Sequence, residues 1–456
     1  MNNLFLKALS STFNRNQYYT DPADCWVYGY DNSRRHALPD CVIFAQTHED
    51  IVNAVKLCNE YEIPLTPHGR ASGTTGAAIP VKGGVVLSLE RMQKILDFDP
   101  HNRIITVEPG VLNSTVQSTA GAKGFFWAPD PTSSTYCSVG GNLSCNAAGP
   151  RSLKYGTTRE NTLGLTAVIG TAETIHCGVT TSKSAVGYDL TRLFIGSEGT
   201  LGIISQATLK LLPLPQAKRI LGFFYRDMNG AAEAVVQIMS QPFTPCGCEF
   251  MDGNAIKMIR QHAHADLPEN AESLLLVEMD GSFEGLNAEV ELLKKAAIHA
   301  SLLEVIVAAT EEESLRLWSI RKSLSQALRS LSPHKINEDI VVPVTKIPDL
   351  LNFTQDLAKQ FDIKIVNFGH AGNGNIHVNL LVDPFDPIQG PKAKQCLNML
   401  FDKVISLHGS LSGEHGVGLE KRDFVNKELS ATSIEIMKKI KAQFDPKGIL
   451  NPGKLF

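Results

Sequence analysis

The sequence predicts an α+β protein of more than one domain. Three observations carry this: a length of 456 residues, an alternation of short apolar runs with helical stretches up to about Pro215, and a change beyond it to strands interleaved with pairs of helices. A chain of this length exceeds what one hydrophobic core organises.

The first clear unit is "PDCVIFAQTHEDIVNAVKLCNEYEIPLTPHGR". Val42–Ala45 reads as a strand. The capping pattern Thr47-x-x-Asp50 then opens a helix with Ile51, Val55 and Leu57/Cys58 on its apolar side. "IPLTPHG" returns as a strand, which makes a β-α-β unit. "GGVVLSL" and "NRIITVEPG" continue as strands, and "TLGIISQATLKLLPLP" closes the region. From about Gln216, "RILGFFYRD" and "SLLLVEMDG" read as strands. "MNGAAEAVVQIMSQ", "NAEVELLKKAAIHAS" and "EESLRLWSIRKSLSQALRSL" carry helical periodicity. Strand–helix–helix–strand order predicts an antiparallel sheet covered on one face by helices. A final helix precedes a tail punctuated by Pro and Gly. The expected boundaries are an N-terminal segment 1–36, a domain 37–215, a second domain 216–440 and a returning tail 441–456.

Composition narrows the function classes. The chain is 43% hydrophobic and 20% charged with net charge −4, which supports packed cores and leaves no basic stripe for nucleic acid. No apolar run reaches the ~18 residues that span a bilayer; "ASLLEVIVAAT" is short and broken by Glu304. The N-terminus lacks the basic region of a signal peptide. Nine cysteines lie scattered, without a C-x-x-C, and read as reduced thiols. The expectation is a cytoplasmic protein, with peripheral attachment to a membrane left open.

Three glycine-rich segments invite a ligand. In "PHGRASGTTGAAIP" small residues follow a strand, so backbone amides and hydroxyls can converge on an anion. It lacks the G-K-[ST] of a P-loop and the G-x-G-x-x-G fingerprint, and an ordinary surface loop is the competing reading. "DPTSSTYCSVGGNLSCNAAGPRSLKYG" has almost no side-chain bulk from Gly140 to Gly149, more than close helix–sheet packing requires. "DLTRLFIGSEGTLGIISQATLKLLP" crowds Gly196, Gly199 and Gly202 ahead of a strand.

"NFGHAGNGNIHVN" reads as a hairpin, with "AGNGN" as its turn. His370 and His377 then stand at opposite ends of the turn. Period-two geometry puts His377 and Asn379 on one strand face. Two imidazoles and an amide converging on one surface suggest a metal site, against the alternative of satisfied core histidines. "SGEHGVGLEKR" offers a third ligand in Glu414 or its neighbour His415. Two nitrogens and a carboxylate would leave open positions on a divalent ion, as catalytic sites do. In "LWSIRKSLSQALRS", Arg321 and Ser325 share a helix face, and Lys335 can approach from the next segment. This is a carboxylate clamp or a solvated basic face.

Together these stretches resemble the FAD-linked oxidase family with a flavin domain of the vanillyl-alcohol-oxidase (PCMH) type. Within it, the chain looks most like the D-2-hydroxyacid dehydrogenases and glycolate oxidase FAD subunits. The resemblance runs from Ala37 to Phe456 and is carried by the glycine loop at 69–76, "GGNLSCNAAGPRSLKYG", "LFIGSEGTLGI", "FGHAGNGNIH", "SGEHGVGLEKR" and "DPKGILNPGK". It implies FAD held non-covalently between two small α+β subdomains, with a substrate (cap) domain beyond. The cofactor contacts it implies are His68, Gly69, Arg70, Ala71, Ser72, Gly73, Thr74, Pro131, Gly140, Gly141, Asn146, Gly149, Gly156, Glu198, Gly202, Ile203 and Asn451. It assigns the metal to His370, His377 and Glu414, with Zn2+ first and Mn2+ or Fe2+ as alternatives. His415 becomes the catalytic base, and Arg321, Ser325, Lys335 and Asn379 join it in holding the substrate. A cationic pair at Arg321 and Lys335 favours a second carboxylate, as in 2-hydroxyglutarate or malate, over lactate; a glycolate-type substrate is also within the implied class.

Departures are visible. His68 stands where relatives more often carry Arg, Arg70-Ala71 replaces part of a Gly-Gly pair, and Ser325 stands where relatives commonly carry Thr. The implied reaction oxidises a D-2-hydroxyacid to the 2-oxoacid, with a quinone or electron-transfer flavoprotein as acceptor and a homodimer as a compatible assembly. Two rival readings are a metal-dependent hydrolase and a non-catalytic flavin subunit of a larger oxidase.

Overall fold

The apolar run that opens the alternating region is a strand, Cys41–Phe44, buried at all four positions. It pairs in parallel with Val85–Ser88, which pairs in parallel with Leu65–His68. Parallel strands need a long crossover, and the helix His48–Tyr61 supplies it between Cys41–Phe44 and Leu65–His68. Its expected cap is present. The Thr47 hydroxyl accepts from the Asp50 amide, and the Asp50 carboxylate accepts from the Thr47 amide. Ile51, Val55, Leu57 and Cys58 are buried with Phe5 and Leu9 of the helix Asn3–Thr12. Tyr18–Tyr19 adds an antiparallel edge to this four-stranded sheet. These statements rest on a computed structural model that describes residues 3–263, 267–332, 335–383 and 386–456, without the side chains of 262, 263, 325, 326, 329 and 331.

A second sheet has five antiparallel strands in the order Ile95–Asp99, Ile104–Val107, Ile203–Lys210, Thr162–Val168, Thr174–Gly178. Ile105, Val107, Leu165, Ala167 and Leu209 form its core with Val116, Ala120, Val139 and Leu143 from the helices Asn113–Gly121 and Val139–Cys145. Both sheets belong to one unit, made of Met1–Gly149, Gly156–Leu214 and Glu414–Phe456. Pro150–Tyr155 and Pro215–Gly413 form the other.

The second division differs from the sequence reading, which places the return at 441. The chain rejoins the first unit at Glu414. The glycine-spaced run after Gly413 carries no apolar period to betray this. The helix Ala431–Phe444 then sends Ile440 and Phe444 to the core of the five-stranded sheet. The tail follows: the Leu65 amide donates to Ile449, and the Asn451 amide donates to Leu65.

In the second unit seven strands form one antiparallel sheet. Their order is Leu302–Val307, Ala217–Tyr225, Ser273–Gly281, Gly247–Asp252, Ile365–Gly369, Asn375–Leu380, Ile336–Val341. Helices cover both faces, not one. Ile220, Phe224, Met251, Leu274, Leu276, Val366 and Phe368 pack with Ile256 and Ile259 of the helix Gly253–Ala263 and with Leu317 and Leu324 of Glu311–Leu331. The alternate residues point the other way. The Tyr225 hydroxyl donates to Ala297 after the helix Phe283–Ala296, and Asn367 Nδ2 donates to Thr354 on the helix Ile347–Phe361. A strand buried on both faces shows no period-two signal. The near-continuous burial of Ser273–Gly281 is why the second layer was not legible.

Candidate active site

In the first unit the loop after Leu65–His68 is the centre of the predicted cofactor residues. The N–H groups of residues 70–74 donate to no group among the described residues, and Ala71 adopts φ +50°. The buried hydroxyl of Thr74 also finds no partner among the described residues. A run of amides without a protein acceptor around a left-handed residue is a geometry that can receive an anion. Gly69 lies against Ser138, whose Oγ sits 2.7 Å from where a Cβ on Gly69 would be. Ser138 caps the helix Val139–Cys145. The loop and the second glycine-rich segment therefore meet.

The other expected cofactor residues have varied surroundings. Gly140 donates its amide to Pro109, and a Cβ there would press on the same proline, so this glycine serves close packing. Gly141 donates to Ser138 Oγ at 3.4 Å. The Asn146 side chain accepts from Thr157 Oγ1 and the Arg159 amide and shapes the turn that follows Gly156. Pro131 closes a turn by accepting from Ser134. Ile203 is fully buried in the core and Gly202 abuts the Phe194 ring. His68 is buried, its Nδ1 donates to the Gly69 carbonyl, and burial pushes its pKa down.

The Glu198 side chain has partners that the sequence does not announce. Its carboxylate accepts from the amides of Val417 at 2.6 Å and Gly418 at 2.9 Å. The side chain is thus spent on the loop that carries Glu414 and His415. Burial raises its pKa to about 7, against the opposing pull of the two amides and Lys454. The same loop is tied at two more points: Thr75 Oγ1 donates to the His415 carbonyl, and Glu414 Oε2 accepts from the Gly149 amide at 3.0 Å. Gly418 needs its lack of a side chain. At φ +51° a Cβ would lie 2.2 Å from the Thr75 carbonyl. Asn451 donates to the carbonyls of Glu198 and Ala77, which fastens the tail to the same region.

In the second unit the expected hairpin is present. Ile365–Gly369 pairs with Asn375–Leu380 in the register Phe368↔His377. The turn is a 3-10 turn, Ala371–Asn373, with His370 immediately before it. Gly374 closes it at φ +75°, where a Cβ would fall 1.8 Å from the Val342 carbonyl. The rings of His370 and His377 stand edge to face, 5.3 Å apart and 83° between planes. Both are buried, and their ligand-capable nitrogens lie within 4.8 Å of each other. Asp339, opposite His377 in the sheet register, also brings a carboxylate oxygen within 4.8 Å of a His377 nitrogen. Its carboxylate already accepts from Asn375 Nδ2, the Gly413 amide and Ser412 Oγ, which makes it a brace for the 412–413 segment more than a ligand.

Residues expected to hold the substrate lie on this same sheet face. Lys335 Nζ donates to Asn379 Oδ1 at 2.7 Å. Arg321 reaches in from the helix Glu311–Leu331, with its guanidinium 4.7 Å above the Phe368 ring. The Ser325 side chain lies outside the described residues. Sequence reasoning missed Glu249. This fully buried carboxylate accepts from Arg321 Nε at 2.8 Å and from His370 Nδ1 at 2.5 Å. Burial alone would raise its pKa, but His370 and Arg321 outweigh it and hold the carboxyl at about 2. The signal was a lone acid in the apolar run "CGCEFM".

The sequence matches known proteins over nearly the whole chain. Residues 39–178 match the FAD binding domain, and residues 214–455 match the C-terminal domain of FAD linked oxidases. Glycolate oxidase subunit GlcD of Bacillus subtilis is 38% identical over 94% of this chain and 92% of its own. A D-lactate dehydrogenase of Anaerostipes hadrus is 35% identical over 92% and 90%. Among solved structures, p-cresol methylhydroxylase with bound substrate shares the fold, with TM-score 0.83, 17% identity and coverage of 99% and 96%. The chain belongs to the FAD linked oxidases and is an FAD-linked oxidoreductase. The residues present fit the cofactor: the open amides of 70–74 and the unpartnered Thr74 hydroxyl are donors suited to a pyrophosphate. No described helix is long and apolar enough to cross a membrane.

Proposed function

We propose that this protein oxidises a D-2-hydroxyacid to the 2-oxoacid, with a divalent cation held by His370, His377 and Glu414. The observation that carries the reading is the pair of buried imidazoles on the same sheet face as Arg321 and the Lys335–Asn379 pair. The donor chemistry fits a borderline cation such as Zn2+. Two imidazoles and one carboxylate make a three-ligand set of the kind that catalytic sites use. Glu414 qualifies as the third because Gly413, one peptide bond before it, is hydrogen-bonded to Asp339 in the strand beside His377. A cation held there would supply Lewis acidity that lowers the pKa of the substrate hydroxyl.

The protein's own groups do the rest. Lys335 and Arg321 hold the substrate's distal end, and two cations there favour a second carboxylate, as in 2-hydroxyglutarate or malate, over lactate or glycolate. His415 removes the hydroxyl proton; an imidazole is matched to that task near neutral pH. Bound FAD supplies the acceptor for the hydride that leaves C2. Non-covalent FAD, a quinone or electron-transfer flavoprotein as the next acceptor, a cytoplasmic location and a homodimer belong to the same reading. The similarity to glycolate oxidase subunit GlcD and to a D-lactate dehydrogenase supports the substrate class.

The test is a set of steady-state rates with glycolate and with the D- and L-isomers of lactate, malate and 2-hydroxyglutarate, read with an artificial dye, before and after chelator. Oxidation confined to D-isomers (or achiral glycolate), lost with chelator and restored by Zn2+ or Mn2+, is the expected result. Oxidation of L-isomers alone, or rates indifferent to chelator, would overturn it. A protein that stays yellow and inert toward every acid would instead be a flavin subunit needing further chains.

A further inference from the structure

Glu249 is an acid where an acid is expensive. It is fully buried on the strand Gly247–Asp252, among the apolar residues of the sheet. A carboxylate in that position persists only if both oxygens are paired with strong donors. Here each oxygen has one. Oε1 accepts from His370 Nδ1 at 2.5 Å, and Oε2 accepts from Arg321 Nε at 2.8 Å. These two partners come from different elements, one from the hairpin turn and one from the helix Glu311–Leu331. They are also the residues read above as a metal ligand and a substrate clamp.

We infer that Glu249 is a positioning residue that ties the metal-binding imidazole of His370 to the carboxylate-binding guanidinium of Arg321. The inference rests on the reading of His370 and Arg321 given under the proposed function. At His370, a carboxylate can only accept, so Nδ1 carries the proton and Nε2 keeps its lone pair for a cation. Such a carboxylate–imidazole pair sets both ring orientation and ligand basicity. At Arg321, the bond to Nε and the Phe368 ring beneath hold the guanidinium plane. Its two terminal nitrogens remain on the side away from Nε, the edge with which arginine grips a carboxylate. One buried anion therefore orients both groups, and a change at Glu249 reaches metal and substrate together.

The experiment uses the flavin-loaded protein stripped of metal by chelator and titrated with ZnCl2 by calorimetry. Glu249→Gln keeps the shape and removes the charge. It is expected to weaken zinc binding about 10- to 100-fold and to raise the KM for a dicarboxylic hydroxyacid. Flavin absorbance should stay unchanged. Arg321→Lys should raise that KM while leaving zinc affinity near wild type. A structural brace alone would lower the melting midpoint of E249Q and leave its zinc affinity intact, which overturns the inference. His370→Ala separates this from failure of the underlying reading. If H370A loses zinc while E249Q binds it normally, Glu249 has no positioning role; if H370A also binds normally, the metal assignment itself is wrong. Should E249Q not accumulate as a folded flavoprotein, Glu249→Asp keeps the charge but falls short of both partners. Weakened zinc binding in E249D supports the inference, and unaltered binding overturns it.

Discussion

The carboxylate of Glu198 holds the backbone of Gly418, accepting its amide at 2.9 Å while also accepting that of Val417. The loop bearing Glu414 and His415 is thereby pinned by a buried acid whose pKa stands near 7 instead of 4.5. The sign follows from proton binding. Between about pH 4.5 and 7 the folded state holds a proton on Glu198 that the unfolded state has released. Stability therefore falls as pH rises through that window and levels off above it. The effect is on the order of 3 kcal/mol. Glu198→Gln should remove this slope, so its melting midpoint should gain on the wild type between pH 5 and pH 8. Parallel midpoint-versus-pH curves for the two proteins would show that Glu198 is not the group responsible.

Glu414→Gln tests the third ligand. Turnover should fall by about 100-fold or more, since a first-sphere ligand matters at least as much as the outer-sphere groups whose loss costs 10–100-fold. The flavin spectrum should persist. Retained turnover alongside retained colour would remove Glu414 from the mechanism.

Lys335→Met addresses specificity. A charged hydrogen bond contributes about 1.5–3 kcal/mol, so the KM for a dicarboxylic hydroxyacid should rise roughly 10- to 100-fold. The KM for D-lactate, with one carboxylate, should move much less. Equal changes for both acids would mean that Lys335 acts on the sheet through Asn379 and not on the distal carboxylate.

Gly374→Ala asks whether the hairpin turn tolerates a side chain. A Cβ would fall 1.8 Å from the Val342 carbonyl at a φ of +75°. The strain should cost about 2 kcal/mol or more, seen as a lowered denaturation midpoint and weaker zinc binding through displaced His370 and His377. An alanine variant as stable as the wild type would show that the turn relaxes freely.

Much of the site was legible because short-range rules apply to it. The Thr47–Asp50 cap, the hairpin around Ala371–Asn373 and the shared face of His377 and Asn379 all follow from local spacing. Other features were not local. Glu249 lies 121 residues from His370 and 72 from Arg321, and nothing in the apolar run around it names a partner. Glu198 is a cofactor contact only by resemblance, and the partners of its carboxylate lie 219 and 220 residues away.

The sequence by itself determined the α+β class, the strands and caps, and the residue types able to hold a flavin, a cation and a carboxylate. Those depend on backbone sterics and side-chain chemistry within a few residues. Tertiary structure alone decided that helices cover both faces of the seven-stranded sheet, that the chain rejoins its first unit at Glu414, and that Glu249 joins His370 to Arg321. The reason is physical: a buried charge must find its partner wherever the fold brings one, and that choice leaves no periodic mark along the chain.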